Sequence, residues 1–246
     1  MKRISQFRFK HFAVWHHRSA MKVGVDGVLI GCWADVAGCR RILDVGTGCG
    51  VIALIMAQRA PGASVIGVDI DAPSAEEAAG NVASSPWPDR IKIIQGGFPQ
   101  VFDGCPAEQE RFDLIVSNPP YFDSGVTDAV TPREIARHQG ALSPLSILKD
   151  SRLLLTPGGS VAMVVPAEYC GRLEAEASSI GYLLEAKCLV RGHRDAHFKR
   201  VLLQWRWKPT DVSDNSLQET SLTLEESPGV PTEEYRALCR DFYLKF

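Results

Sequence analysis

Residues 41–50 read RILDVGTGCG, and this stretch decides the fold. The apolar run at 41–45 has the composition of a buried strand, and three glycines at alternate positions follow it. The next residues, VIALIMAQRA, have the length and apolar spacing of a helix. Glycines between a strand and a helix let the backbone turn tightly and approach a ligand closely. The stretch therefore predicts a nucleotide-binding strand–turn–helix unit.

The same alternation of strand and helix patterns continues along the chain. Further apolar runs that predict buried parallel strands lie at 64–69, 91–95, 113–118 and 160–166. Helical spacing recurs at 72–84 and 145–155, and Pro157-Gly158-Gly159 is expected to end the second of these helices. Strands that alternate with helices are typical of a doubly wound sheet with helices on both faces.

Two more strands are predicted after this alternation. Residues 183–192 and 200–207 are rich in apolar residues and flank the polar segment HRDAHFK, which suits an antiparallel pair joined by a basic loop. The predicted fold is therefore α/β and Rossmann-like, with a mostly parallel, seven-stranded, doubly wound sheet and an antiparallel terminal strand. Residues 209–231 are rich in Ser, Thr, Glu and Pro, so we expect an excursion or a flexible insert there before a last helix near 232–241.

The expected domain organisation is one catalytic unit with two additions. A chain of 246 residues can bury a full core, and α/β folds of this size commonly remain undivided. We assign the catalytic domain to 40–208 and a basic, aromatic segment packed on it to 1–39. An acidic tail with the terminal helix, 209–246, is expected to belong to the same domain.

The composition excludes several classes of protein. Hydrophobic residues make up 45% of the chain and charged residues 23%, which is close to the average for globular proteins. No run approaches the length of a membrane span, and MKRISQFRFKHF lacks the features of a signal peptide, so we expect a cytoplasmic protein with no membrane partner. Seven cysteines without a C-x-x-C pair indicate reduced thiols. No metal is expected, because no ligand pattern links His16, His17, His193 and His197.

Charge is distributed unevenly, although the formal net charge is only −2. Residues 1–22 carry six Lys or Arg and no acid, and residues 187–208 carry seven against the single acid Asp195. Residues 209–234 carry seven acids and no base. Because Lys and Arg neutralise phosphates, the two basic segments together form a candidate RNA footprint. The aromatic residues among the N-terminal bases are expected to cover the sheet edge: Phe7, Phe9, Phe12 and Trp15.

The glycine turn favours a nucleoside cofactor that has no pyrophosphate. Its spacing is G-x-G-x-G and lacks the later glycine of the dinucleotide fingerprint. S-adenosylmethionine is such a cofactor, with Gly46 and Gly48 against it and Asp44 assisting its methionyl amine. Asp69 ends the next strand, where a carboxylate accepts hydrogen bonds from ribose hydroxyls in related folds. Asp71 is expected to cap the following helix.

Two further segments are candidates for the cofactor site. Residues 95–98 read QGGF and contain no acid that could contact an adenine amine, which leaves a backbone group or Phe98 as the contact. Lys22 begins the sequence KVGVDG, which precedes an apolar, helix-like segment. Asp26 could cap that helix or touch the polar end of the cofactor, and the spacing does not choose between the two.

The motif Asn118-Pro119-Pro120-Tyr121 follows the fourth strand, at the edge of the sheet where ligands bind in open α/β folds. The Asn118 side-chain oxygen and the Pro119 carbonyl can accept both N–H bonds of a planar amine. The paired prolines fix φ and remove two backbone donors, which gives a rigid turn with free acceptors. Tyr121 can stack on a base. The motif predicts methyl transfer to an exocyclic or amide nitrogen through positioning, without a nucleophilic side chain.

With these motifs in place, the chain resembles the bacterial tRNA1(Val) adenine N6-methyltransferase family over nearly its whole length. The resemblance is carried by FRFKHFAVWHHRSAMKVGVDGVLIGCWA, LDVGTGCG, FDLIVSNPPYF and the terminal FYLKF. It implies a class I methyltransferase fold and methylation at N6 of the adenosine immediately 3′ of the anticodon of a valine tRNA. It also implies an amine site at 118–121 and a cofactor site formed by Asp44, Gly46, Gly48, Asp69, Lys22 and Asp26.

Two alternatives stay open from the residues alone. A protein glutamine N5-methyltransferase acting on a release factor would offer the same planar nitrogen to Asn118, and a noncatalytic RNA-binding module would use only the basic surfaces. The basic N-terminal segment favours RNA over a release factor. The intact glycine and NPPY motifs argue against the noncatalytic module. The expected partner is tRNA, with tRNA1(Val) as the expected species, and a monomer is favoured.

Overall fold

The computed structural model describes residues 6–104, 111–120, 142–207 and 217–246. Its strands, in chain order, are β1 Gln6–Arg8, β2 Ala13–Trp15, β3 Arg41–Val45, β4 Ser64–Asp69, β5 Ile91–Gln95, β6 Phe112–Ser117, β7 Leu155–Pro166, β8 Tyr182–His193, β9 Arg200–Trp207, β10 Gln218–Ser227 and β11 Val230–Pro231. Its helices are α1 Val25–Trp33, α2 Val51–Arg59, α3 Ala72–Ala83, α4 Pro144–Ser151, α5 Ala167–Ser179 and α6 Glu233–Cys239.

One large sheet organises the described residues, in the order β11-β10-β8-β9-β7-β6-β3-β4-β5. The five strands from β7 to β5 are parallel to their neighbours, and β9 is antiparallel to both β7 and β8. The predicted doubly wound α/β fold is confirmed. The strand order reverses between β3 and β6, and ligands bind in such folds outside the carboxyl ends of the strands at that reversal.

Both faces of the sheet are covered, as the continuous apolar strands require. On one face, α1, α2, the hairpin β1–β2 and α6 enclose a core that includes Ile30, Leu54 and Met56. On the other face, α4 and α5 enclose a second core around Ile147 and Leu173. The predicted bounds of β3, β4 and β5 are confirmed to the residue, because each is a mostly apolar run that ends at a turn.

The predicted end of the helix at 145–155 was wrong. Helix α4 ends at Ser151, and β7 begins at Leu155, so residues 157–159 lie inside a strand. The pairing of β7 with β6 shifts register between Phe112 and Leu114. A register irregularity is a place where a strand tolerates proline and glycine, which explains why this Pro-Gly-Gly sequence does not end the element.

The expectation of a flexible insert at 209–231 was also wrong for its described part. Residues of β10 pair in parallel with β8, from Gln218 opposite Ala186 to Glu225 opposite His193, and β11 pairs with β10. Leu222 is buried against the first core, which anchors the strand despite its polar composition. The sheet thus extends two strands beyond the predicted seven. The last helix, α6, lies where it was predicted.

Of the N-terminal aromatic residues expected to cover the sheet edge, Phe9 and Phe12 join the first core and Phe7 packs against it, whereas Trp15 is exposed. Phe9 and Phe12 are buried and their rings stack 4.6 Å apart, and Phe12 also packs edge-on against Trp87. Lys10 donates to the backbone carbonyl of Arg240, and 3.0 Å separates its Nζ from the Phe246 carbonyl oxygen. Lys10 therefore connects the N-terminal hairpin to the residues that follow α6.

Candidate active site

A cavity of about 690 Å³ opens at the carboxyl ends of β3, β4 and β6. Its size lies within the range of small-molecule sites, roughly 300–1,000 Å³. Of the predicted site residues, its walls include Lys22, Gly46, Gly48, Asp69, Asn118 and Pro120. The glycine turn and the NPPY motif, which are about 70 positions apart in sequence, therefore share one cavity. Tyr121 lies outside the described residues.

The glycine turn is held under the cavity by backbone hydrogen bonds. The N–H groups of Gly46 and Thr47 both donate to the carbonyl of Val68, at 2.9 and 3.0 Å. Gly46 and Gly48 have φ angles of 73° and 55°, in the left-handed region that glycine adopts without strain. The turn can therefore lie tightly against the end of β4 and present backbone to a ligand.

Asp69 links the two loops that border the cavity. Its Oδ2 accepts the Gly48 N–H at 2.7 Å, and its Oδ1 accepts the Asp71 N–H at 2.9 Å. Burial raises the pKa of Asp69, while these two hydrogen bonds act in the opposite direction. Each carboxylate oxygen has a second lone pair, so Asp69 can still accept from hydroxyl groups of a ligand in the cavity.

Asp44 does not line the cavity; it lies beneath the glycine turn. Its Oδ2 accepts from the Thr47 hydroxyl at 2.6 Å and from the Ala53 N–H at 3.0 Å, whereas Oδ1 is buried and receives no hydrogen bond from the described residues. Burial raises the pKa of Asp44 to about 7. Asp44 thus ties the turn to α2, and any contact with a cofactor amine stays a prediction.

Asn118 is held close to the glycine turn by the residue before it. The buried Ser117 hydroxyl donates to the Val45 carbonyl at 2.7 Å, which joins the ends of β6 and β3. A Cβ atom built on Gly27 would lie 3.9 Å from the Asn118 Nδ2, so the first turn of α1 forms the neighbouring wall. The amide is consequently placed between the glycine turn and α1.

Asp26 is not part of the cavity wall and does not cap α1. Its Oδ2 accepts from the Arg200 Nε at 2.8 Å, and α1 has no side-chain hydrogen bond at its N-cap, Gly24. Asp26 therefore connects α1 to β9. Asp71 caps α3, as expected, by accepting from the Ser74 N–H at 3.0 Å.

An apolar slot lies on the far side of Asp69. Gly96, Gly97 and Phe98 line it, together with Ile70, whose side chain is 66% exposed although it is large and apolar. Ile70 and Phe98 thus offer apolar surface against which a flat ring could pack. The sequence had left open a backbone group or Phe98 as the base contact, and Ile70 was not anticipated.

Residues 15–24 form a strap along the cavity, and one buried side chain, Glu77 of α3, holds it. The Glu77 carboxylate accepts the backbone N–H groups of His17, Arg18 and Ser19 at 2.8–3.2 Å, and the His17 ring lies 2.9 Å away. Burial alone would raise the pKa of Glu77, but these hydrogen bonds outweigh it and lower the pKa. The strap then supplies Ala20, Met21 and Lys22 to the wall.

Replacing Glu77 should destabilise the protein much more than replacing its neighbour Glu76. Glu77→Ala leaves three backbone N–H groups without their acceptor, so we expect a loss of about 2–3 kcal/mol in the free energy of unfolding. Glu76 is exposed and, among the described residues, its ion pair is with Arg18, so Glu76→Ala should cost less than about 1 kcal/mol. Urea denaturation of both variants measures the difference. Equal losses would show that the strap is not held by Glu77.

The same contact predicts a pH dependence. Because the folded-state pKa of Glu77 lies below its ordinary value of 4.5, its contribution is present above that pH and is lost as the pH falls through the folded-state pKa. The difference in unfolding free energy between the parent and Glu77→Ala should therefore shrink in acid.

Sequence reasoning did not find Glu77 or the strap contacts. Glu76-Glu77 resembles an ordinary solvated pair on an amphipathic helix, and only the tertiary structure buries the second of the two. His16 is likewise buried, and its Nδ1 accepts the Val23 N–H at 2.8 Å.

Within the described ranges, no group of three or more His, Cys, Asp or Glu side chains could hold a metal ion. None of the described helices combines the length and apolar character needed to cross a membrane.

Comparison with known proteins gives consistent matches. Residues 28–171 match the model of the methyltransferase small domain family. A tRNA1(Val) (adenine(37)-N6)-methyltransferase of Parabacteroides distasonis is 42% identical over 239 residues, which are 97% of this chain and 98% of that protein. A protein of the same name from Trichodesmium erythraeum is 38% identical over 98% of this chain and 99% of its own length.

Solved structures share the fold at lower identity. A predicted O-methyltransferase from Agrobacterium tumefaciens superposes with a TM-score of 0.60 at 20% identity, covering 88% of this chain and 96% of that one. A 16S rRNA N2 G1207 methyltransferase from T. thermophilus, in complex with AdoMet and guanosine, has a TM-score of 0.51 at 22% identity and covers 82% of this chain and 50% of its own. These likenesses support the fold.

Proposed function

Since the chain belongs to the tRNA1(Val) (adenine(37)-N6)-methyltransferase family, we propose that it transfers a methyl group from S-adenosylmethionine to N6 of an adenosine in tRNA. The observation that carries the proposal is the shared cavity of the glycine turn, Asp69 and Asn118. We further propose the adenosine 3′ of the anticodon of tRNA1(Val) as the target, and a cytoplasmic monomer as the active form. The relatives named for tRNA1(Val) match this chain over nearly their whole length, which supports the same tRNA as the substrate.

The walls of the cavity suit S-adenosylmethionine. Asp69 has free acceptor capacity for ribose hydroxyls, the slot beside Ile70 suits an adenine, and the glycine turn leaves room for the amino-acid end. Bound S-adenosylmethionine supplies a methyl group on a positively charged sulfur, which is already activated toward a nitrogen lone pair. We propose that Lys22, which lines the same cavity, contacts the cofactor carboxylate. For Asp44 we propose a supporting role through the turn, because its Oδ2 is occupied by Thr47 and Ala53.

Asn118 and the two prolines are proposed to hold the target amine. The side-chain oxygen of Asn118 and the carbonyl of Pro119 would each accept one N–H of the adenine amine, so that its lone pair points to the methyl group. As the nitrogen becomes positively charged, both acceptors interact with it more strongly, which stabilises the transition state over the ground state. We propose that Tyr121 stacks on the base, as its place in the motif suggests.

The test is methyl transfer to total tRNA from a strain that lacks this protein. The purified full chain and methyl-labelled S-adenosylmethionine should produce N6-methyladenosine in a valine tRNA, read by nucleoside mass spectrometry and by isolation of the labelled tRNA. Label on another tRNA would retain the reaction but reject the proposed species. Label on a protein, with none on RNA, would contradict the proposed function.

A further inference from the structure

The hairpin between β8 and β9 projects from the same edge of the sheet as the NPPY motif. Because β9 is antiparallel to both β7 and β8, strand β8 runs in the direction of β7 and β6. The last residues of β6 and β7, Ser117 and Pro166, and of β8, His193, therefore share one edge, and Arg200 opens β9 opposite Pro166. The connection at 194–199 lies beyond that edge, with β7 between β9 and the strand β6 that leads to the proposed amine site.

An ion pair fixes the base of this hairpin to the cavity wall. Arg200 Nε lies 2.8 Å from Asp26 Oδ2, in the first turn of α1. That turn also contains Gly27, which borders Asn118. The hairpin is therefore connected to the Asn118 side chain through one ion pair and the first turn of α1.

The hairpin is also ordered internally. Arg191 donates from Nε to the Thr223 hydroxyl at 2.9 Å and from Nη1 to the Arg194 carbonyl at 2.6 Å, and its guanidinium lies 5.2 Å from the centre of the Phe198 ring. The Lys199 N–H donates to the Val190 carbonyl at 3.0 Å. The Arg191 guanidinium thus stabilises the conformation of the hairpin through two hydrogen bonds and one cation–π contact.

Two cations remain available at the tip. The side chains of Arg194 and Lys199 are exposed, and neither makes an ion pair within the described part of the chain. His193 and His197 are exposed beside them, and Asp195 is the one acid in the segment from 191 to 200. Exposed cations on a pre-ordered turn bind phosphates with little loss of conformational entropy.

Negative charge lies on the opposite side of the hairpin. Glu225 and Glu226 belong to β10, which borders β8 on the side away from β9, β7 and β6. Their carboxylates repel a polyanion from that side, so we expect RNA to approach the tip from the side of β9 and β7. Two other bases of the segment are used elsewhere, since Lys187 pairs with Glu174 at 2.8 Å and Arg206 with Glu185 at 2.6 Å.

We propose that the tip of the β8–β9 hairpin, through Arg194 and Lys199, is the surface on which phosphates of the RNA substrate dock; this inference rests on the proposed function. It narrows the broad footprint expected from sequence, because several described bases of the two segments are committed to contacts within the protein, among them Lys10, Arg18, Lys187 and Arg206. The docked RNA would be held beside the amine site without touching the cofactor.

The experiment compares Arg194→Ala/Lys199→Ala with a control that removes two positive charges from other exposed sites, Lys92→Ala/Lys149→Ala. Lys92 lies near the start of β5, and Lys149 lies in the last turn of α4. Binding of unmodified tRNA to each full-length variant is measured over a range of salt concentrations, and S-adenosylmethionine binding is measured separately.

The hairpin variant should bind tRNA about tenfold more weakly, with a salt slope lower by roughly one per lost phosphate contact. Its cofactor affinity and its kcat at saturating tRNA should not change.

The outcomes separate docking from catalysis. If both double variants bind tRNA with the same affinity and salt slope, the docking proposal is overturned, whether or not the parent methylates tRNA. If the parent binds tRNA through the hairpin but transfers no methyl group to it, docking stands and the proposed function fails. If the parent does not bind tRNA at all, both proposals fall.

Discussion

Asn118→Ala should reduce kcat on tRNA by about 10²-fold or more while the dissociation constant for S-adenosylmethionine changes by less than about twofold. The reason is that the amide is proposed to accept from the target amine, so its interaction strengthens only as the nitrogen becomes positive. Asn118 lies on the cavity wall beside α1, whereas the proposed ribose contact is made from Asp69. Single-turnover kinetics and calorimetric titration with the cofactor measure the two quantities independently.

Asn118→Asp is the matched variant, since it retains an acceptor oxygen at nearly the same position. It should recover part of the activity that Asn118→Ala loses. A proportional loss of cofactor binding and methyl transfer in Asn118→Ala would mean that the amide holds the cofactor and not the amine. The assignment of the NPPY motif as the amine site would then have to be abandoned.

The second large effect is expected for Asp69→Ala, which should weaken S-adenosylmethionine binding by roughly 100-fold. The proposed hydrogen bonds from ribose hydroxyls would be lost, and the Gly48 and Asp71 N–H groups would lose their acceptor. At saturating cofactor the rate should fall much less than the affinity does. An equilibrium binding titration with the cofactor gives the affinity, and methyl transfer at rising cofactor concentration gives the rate.

Asp113→Ala provides a control for the structural part of this effect. Asp113 Oδ2 also accepts two backbone N–H groups, from Arg40 at 2.8 Å and Arg41 at 3.0 Å, but at the amino-terminal end of β6. Asp113→Ala should lower the melting temperature and leave cofactor affinity unchanged. Similar cofactor dissociation constants for the two variants would reject a direct contact between Asp69 and the cofactor.

The doubly wound part of the sheet and the two motifs of the site could be predicted from sequence. Strands such as β3 and β4 lie in the interior of the sheet, so each is a mostly apolar run whose ends coincide with turn residues. The glycine turn and the NPPY motif act through local backbone geometry, which short sequences encode. Their meeting in one cavity also followed from sequence, because consecutive parallel strands present their carboxyl ends at one edge.

The tertiary structure alone decided the roles of the charged and polar residues. Glu76 and Glu77 are indistinguishable in sequence. Glu77 nevertheless accepts backbone N–H groups of the strap, whereas Glu76 is exposed. Asp26 pairs with Arg200, 174 positions away, instead of lining the cavity. Strand β10 forms because it pairs with the edge of β8 and because its Leu222 side chain packs into the first core. A charge interacts with whatever lies within a few ångströms in space, whatever the separation in sequence, and only the folded chain determines those neighbours.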